Sequence, residues 1–433
     1  MSLLNLVSLG GWCVLCLLAW SIGGCRREVS WRTVLGSTAL TFGLAGAIFL
    51  LPPVRSALLL VNRAVLVLIG ASRAGAEFLF GPLALGPGES TAAGESSIGV
   101  VLAAQVLPAV IFFASLMALM HHLGLVAPVV RIFARLFHRS LRLSGAEGLA
   151  GALHIFFGVE TAAAIEPYLK RMTRSELLTV LSTNLATTAS TTLAIYVVLL
   201  QDSFPRIAGH LLSASLLSIP CTVLVTKLML PERDAPETFG AVPRLDSMPT
   251  EDNPVAALAS GAMAGLRIAA GIAAILIAVL GVVALVDALL ALLPAALGGG
   301  EAPPTLAGVL GVLFTPFAWL LGIEPADLSE AARLLGQRLV LTEVVSYQDL
   351  GQMADSGELS PRSILVLSYA LCGFAHVAGV GVALGGFGAL ASERLGDLGQ
   401  LALRALVAAT IATLLTGCVA GFFYYGQQGV LGL

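Results

Sequence analysis

Long apolar runs separated by short polar breaks dominate the chain, at 5–22, 35–52, 98–120, 178–200, 207–230, 262–294, 362–391 and 402–424. A helix crossing a bilayer needs about 20 predominantly apolar residues, and the runs predict about eight such helices. Two further apolar stretches are too broken to cross in one piece. One is 147–169, interrupted at Gly158 and Pro167; the other is 305–325, interrupted at Pro316, Gly322 and Pro325. Irregular backbone at membrane depth survives only where it is buried in protein or lines a water-filled cavity. Each break is followed by a related string, Ile165-Glu166-Pro167 with Ser175-Glu176 and Ile323-Glu324-Pro325 with Ser329-Glu330. Interrupted segments in corresponding places point to an internally repeated architecture with a site near the membrane midplane.

Basic residues orient the helices, because short cytoplasmic loops collect Lys and Arg. Arg26, Arg27 and Arg32 follow the first run; Arg131, Arg135, Arg139 and Arg142, then Lys170, Arg171 and Arg174, fall on the same side. This places both termini outside and the basic loops in the cytoplasm of a bacterial-type inner membrane. The stretch from Arg131 to Arg142 has arginines and apolar residues at helical spacing, as in a helix lying in the membrane interface. The proline-rich, acidic stretch 231–254 reads as a solvated connector.

Composition excludes a soluble protein: 57% of residues are hydrophobic and 11% charged, against about 25% charged in a typical soluble domain. A net charge of −3 provides no basic face for a nucleic-acid polymer. Six cysteines lie scattered in apolar segments, and the Cys13/Cys16 pair has no second pair at metal spacing, so all read as packing residues.

Ionisable groups inside apolar segments are expensive and mark pathways or sites. Glu160 sits at the first break, with His154 one to two turns before it; Glu343 lies in RLVLTEVVSY and His376 in a glycine-rich run. Glu343 needs either a salt bridge to Arg338 or a ligand's hydroxyls, and each histidine is either a satisfied structural group or a ligand-facing one. The next span, from Thr183 and Asn184 to Thr192, is rich in hydroxyls that serve either as glue between helices or as ligand contacts. No order of residues typical of a hydrolase accompanies them, so the chain does not read as an enzyme.

These motifs carry a resemblance. SGAEGLAGALHIFFGVETAAAIEPYLKRMTRSELLTVLSTNLATTAS in the first half, and LLGQRLVLTEVVSYQDL and YALCGFAHVAGVGVALGGFGALASERLGDL in the second, are similar to the concentrative nucleoside transporters, in family order through nearly the whole chain. The resemblance implies an all-α polytopic membrane protein with about eight transmembrane helices. It also implies two re-entrant helical hairpins (147–169 and 305–325), two partly unwound helices (around Thr187 to Thr192 and Glu343), and a homotrimer that works by an elevator movement. The divisions it implies are N-terminal scaffold helices at 1–120, an interfacial helix and first transport repeat at 121–230, and the linker at 231–254. A scaffold and trimerisation helix follows at 255–300, then the second hairpin and C-terminal helices at 301–433. The implied ligand is a nucleoside or nucleoside-like solute moved with Na+ or H+ and no organic cofactor.

By the same resemblance, the family's hairpin string Gly-Gln-Thr-Glu stands here as Gly158-Val159-Glu160-Thr161, so the base-reading position is the apolar Val159 and the glutamate position is Thr161. Glu343 matches the ribose-binding glutamate, while the Asn and Ser that complete the sugar contact are His376 and Gly379. The implied substrate set is thus Val159, Glu160, Thr161, Thr192, Glu343, His376 and Gly379. The sodium positions correspond to His154, Phe157, Thr187 and Thr188. Imidazole suits a hard cation poorly, so His154 points to a proton or to loosened coupling. The alternatives are a divergent member carrying another small polar metabolite, or a non-transporting membrane sensor.

Overall fold

The computed structural model describes residues 2–25, 28–86, 90, 96–99, 101–240, 251–292 and 304–426. Arg26, Arg27 and the middle of the 231–254 connector lie outside the described residues. In chain order the helices are α1 (Leu3–Ile22), α2 (Trp31–Leu50), α3 (Pro52–Phe80), α4 (Leu102–Gln105), α5 (Leu107–His122), α6 (Val126–Leu141), α7 (Gly145–Leu153), α8 (Thr161–Leu169) and α9 (Arg174–Ala186). There follow α10 (Ser190–Leu200), α11 (Ile207–Met229), α12 (Pro254–Leu290), α13 (Leu306–Leu320), α14 (Leu328–Leu341), α15 (Glu343–Asp355), α16 (Pro361–Ala370), α17 (Val377–Leu390) and α18 (Leu395–Phe422). Among the described residues the only β-type pairing is one isolated bridge, Ser90 to Ser96.

Among the described residues eight helical segments are long and apolar enough to cross a membrane, but they are not the eight expected. Pro52–Ala84 joins the set, and 362–391 leaves it because the chain breaks between α16 and α17. Within 305–325 the predicted interruption at Pro316 is corrected, since α13 runs through it as one helix, whereas the chain does break at Gly322 (φ 75) and Pro325, after which α14 packs back along α13. The fold-back that corresponds to the first hairpin lies further on, at Thr342. There Gln337 Nε2 donates to Asp349 Oδ2 at 2.9 Å and Ser346 Oγ to the Leu334 carbonyl at 3.1 Å, pairing α14 with α15 side by side. The Glu-Pro echo does not mark equivalent positions, since Pro167 sits inside α8 and Pro325 opens a short 3-10 turn after α13.

The order of elements is nonetheless alike in the two halves. α7 and α8 fold back on each other, α9 and α10 form a helix broken at 187–189, and α11 is whole; α14 and α15 fold back, α16 and α17 form a broken helix, and α18 is whole. Local chemistry starts these pieces. Ser144 with Glu147 and Thr173 with Glu176 make reciprocal capping boxes, each satisfying two backbone N–H groups that a helix start leaves free. Ser360 caps α16, with Pro361 at its first position.

Burial separates an inner bundle from an outer frame. The apolar window of α11 is 89% buried, whereas that of α12 is 17% buried although its hydropathy is the highest of the eight. A helix apolar all round and exposed in one chain faces lipid or another protein. α12 is held to α5 by a close crossing: a Cβ at Gly261 would stand 2.6 Å from that of Ala118, and one at Gly265 2.7 Å from Ile111 Cα. This GxxxG spacing lets two backbones approach where lipid offers no hydrophobic drive. α6 is amphipathic, burying Val130, Ala134, Phe137 and Leu141 on one face with Arg131 and Arg135 exposed on the other. In the inner bundle Lys227 Nζ meets Glu147 Oε1 at 2.6 Å, tying α11 to the base of the first hairpin. Of the cysteines read as packing residues, Cys221, Cys372 and Cys418 are buried, whereas Cys13 and Cys25 are exposed.

Candidate functional site

The two hairpin tips and the two helix breaks converge. At the first tip, the Glu160 carboxylate accepts from the Gly158 N–H at 2.9 Å, and the Phe156 carbonyl accepts from the backbone and hydroxyl of Ser190, at 3.2 and 2.8 Å, where α10 begins. At the second tip Thr342 has φ 90 and ψ 158, a conformation that costs a β-branched residue energy and that clusters at functional sites. This kink ends α14 and starts α15 at Glu343. Leu341-Thr342-Glu343 contains neither Gly nor Pro, so residue pattern alone gives no break there; the family resemblance does, with a partly unwound helix around Glu343.

Between the tips and α12 lies a cavity of about 340 Å³, within the range of small-molecule sites. Glu160, Glu343 and His376 all line it, as do Val159, Thr187, Thr192 and Gly379. Thr161, His154, Phe157 and Thr188 do not. Thr161 and His154 are fully buried, and neither the Thr161 hydroxyl nor either His154 ring nitrogen has a hydrogen-bond partner. The Thr188 hydroxyl lies 3.4 Å from Cys372 Sγ, and the Thr187 hydroxyl donates to the Thr183 carbonyl at 2.8 Å. The sequence-predicted substrate set is therefore brought together except for Thr161, and the coupling-ion set contributes only Thr187 to the cavity wall.

Glu343 is 1% exposed and held from two sides. Tyr196 donates its hydroxyl to Oε1 at 2.7 Å, its ring stacked on Tyr347 with centroids 4.4 Å apart. His376 Nε2 stands 2.9 Å from Oε2, close enough for an ion pair though off the alignment of a hydrogen bond. Because His376 Nδ1 accepts from the Gly379 N–H at 3.0 Å, a neutral ring must carry its proton on Nε2, the nitrogen nearer the carboxylate. Arg338 is not the partner: its guanidinium donates to the Ala370 carbonyl at 2.6 Å and to Thr413 at 2.9 Å.

Tyr196, Asn184, Phe374 and Arg267 are cavity or clamp residues for which the sequence reading gave no individual role. Arg267 is visible as one of only two charges in the 262–294 run, and the buried Asn184 Oδ1, without a partner, lies within the hydroxyl-rich span. Tyr196 had no signal, since only the fold sets α10 against α15.

A bundle of membrane-crossing helices whose folded-back hairpins and broken helices meet around a largely apolar cavity carrying Glu160, Glu343 and His376 is a multi-pass membrane carrier. Three family models agree: "Na+ dependent nucleoside transporter C-terminus" matches residues 210–421, its N-terminal counterpart 10–83, and "Nucleoside recognition" 103–203. The chain belongs to the concentrative nucleoside transporter family. It is 32% identical over 416 residues to an Escherichia coli protein named as a nucleoside permease, NupX, covering 95% of this chain and 97% of that one. It is 31% identical to the pig sodium/nucleoside cotransporter 1, covering 97% of this chain and 64% of that longer protein. Among solved structures, CNTnw in an inward-facing substrate-bound state matches with TM-score 0.86 and 30% identity over 98% of this chain and all of that one. An outward-facing variant of CNTnw matches with TM-score 0.87 and 30% identity over 97% of each chain.

Proposed function

We propose that this chain imports nucleosides across a bacterial inner membrane in symport with a cation, as a homotrimer with both termini outside. The ligand lies in the cavity with its ribose hydroxyls on Glu343 and its base toward Val159, Glu160 and Thr192, while His376 and Gly379 shape the sugar end. The observation that carries this reading is the convergence on one cavity of Glu160 and Glu343 from the two hairpin tips and His376 from the break between α16 and α17. A carboxylate accepts from paired sugar hydroxyls, and the Tyr196 and His376 contacts fix the direction in which its remaining lone pairs point.

The hairpins, broken helices and α11 or α18 form the part that moves between faces in an elevator step, and α12 with α5 forms the frame it moves against. That inward-facing and outward-facing structures of CNTnw both match this chain supports this division. Thr187 and the carbonyls of Phe157 and Thr188 are the oxygen donors available to a coupling Na+. The buried imidazole of His154 stands where a hard cation needs another oxygen, which favours H+ over tightly coupled Na+. Each charge moving with the potential gains about 2.3 kcal/mol per 100 mV.

The changes at Val159, His376 and Gly379 favour one second reading, a nucleoside-like solute of altered sugar or base. Uptake of a radiolabelled nucleoside panel by purified protein in liposomes tests both. Glu343→Gln is expected to abolish concentrative uptake. Undiminished uptake by that variant removes Glu343 from the site.

A further inference from the structure

Within α12 the only charged residues are Arg267 and Asp287. Asp287 has a structural task, accepting the Leu306 N–H at 2.7 Å at the start of α13. Arg267 has none: no described residue makes a hydrogen bond or ion pair with its guanidinium, yet it lies about 20 Å along the helix from Pro254, at about 1.5 Å per residue. An arginine within a span this apolar is retained for a pathway or a ligand. It belongs to the face of α12 that lines the cavity, one turn from Gly271, where an added Cβ would meet nothing within 4 Å. The open space beside Gly271 leaves room for the guanidinium and a ligand edge. The same cavity is lined by the first hairpin tip, where Val159 offers no hydrogen bond and the exposed Glu160 offers an acceptor.

We propose that Arg267 and Glu160 together read the base and select 6-oxopurine nucleosides such as inosine and guanosine. The proposal rests on the nucleoside reading above and names its substrate class. A guanidinium is a flat fork of donors that pairs with two adjacent acceptors, as on the O6 and N7 edge of an oxopurine. Next to O6 the ring carries an N1–H, the donor that a carboxylate accepts. Adenine presents an amino donor where the fork needs O6. Uracil has no two adjacent acceptors. Cytosine has them at O2 and N3, with O2 beside the glycosidic bond, at the sugar end held by Glu343. Because α12 belongs to the frame, this contact forms only in the state where the cavity faces Arg267, so it acts on ligand choice at one end of the cycle.

The experiment is uptake by the full chain in liposomes, competed with inosine, guanosine, adenosine, uridine and cytidine, for the wild type, Arg267→Gln, Arg267→Lys and Glu160→Gln. The wild type is expected to prefer the two oxopurines over adenosine by about tenfold or more. Arg267→Gln should reduce that ratio toward one, Arg267→Lys should restore it only in part because an ammonium lacks the fork, and Glu160→Gln should lower it as well. A loss equal for all five nucleosides in Arg267→Gln, an unchanged ratio, or a wild-type preference for pyrimidines overturns the proposal while leaving nucleoside transport standing. Failure of the wild type to move any nucleoside overturns the nucleoside reading itself, and this inference with it.

Discussion

Tyr196→Phe isolates the clamp on Glu343. The substitution removes one oxygen, the hydroxyl that donates to Glu343 Oε1 at 2.7 Å, and leaves the ring to stack on Tyr347 at 4.4 Å. Tyr196 is fully buried, so no water replaces the lost donor without entering the bundle. A hydrogen bond to a charged group contributes about 1.5–3 kcal/mol. If that amount fixes the carboxylate for the ligand, affinity should fall about 10- to 100-fold, at about 1.4 kcal/mol per factor of ten. With the stack retained, the rotamer of the ring and the packing of α10 on α15 should survive. The assay is the concentration dependence of uptake in liposomes, with thermal unfolding in detergent as the control for folding. The expected result is a raised KM with a smaller change in maximal rate and a modest loss of thermal stability. An unchanged KM, or tighter binding because the freed lone pair serves the ligand better, refutes the idea that Tyr196 orients Glu343 for binding.

Two further perturbations probe the coupling position and the hairpin. His154→Asn replaces a buried imidazole with an amide oxygen donor and is expected to make uptake depend on a Na+ gradient, tenfold of which supplies about 1.4 kcal/mol. Wild-type uptake that collapses without Na+ and ignores a pH gradient would rule out the proton reading of His154. Gly386→Ala places a Cβ 1.9 Å from Val159 Cγ2, and overpacking of this kind costs about 1–3 kcal/mol. Uptake should fall, and Val159→Ala in the same chain should restore part of it; losses that simply add in the double variant would mean that the tip does not bear on α17.

Much of this architecture is legible in the residue pattern, for reasons that can be traced. Bilayer thickness forces apolar runs of fixed length, so α1, α2, α5, α11, α12 and α18 stand out, and Gly158 marks the first hairpin because a glycine among apolar residues breaks a helix. Glu160, Glu343 and His376 were visible because a membrane makes ionisable groups rare. The rule for breaks rests on Gly and Pro, so it finds the turn at Gly322 and Pro325 and passes over the fold-back at Thr342. Here the turn is made by a strained Thr342 and by pairings between α14 and α15 that are a dozen residues apart, while Pro316 sits in an unbroken helix. The stretch 362–391 reads as one span for the opposite reason, as its break at 371–376 holds only one glycine and one polar residue, His376, among apolar residues that keep the hydropathy high.

The sequence alone determined that the chain lives in a membrane and which carboxylates carry the burden of explanation; the order of elements that the two halves share came from the structure. Length and hydropathy are local properties, and a lipid environment leaves them little freedom. Only the tertiary structure decided which groups meet: that Tyr196 and not Arg338 holds Glu343, that His154 and Thr161 lie outside the cavity, and that Arg267 stands in its wall. Those facts depend on how α10, α12 and α15 pack across gaps of many residues, and the spacing of side chains along one helix carries no record of the helix that will face it.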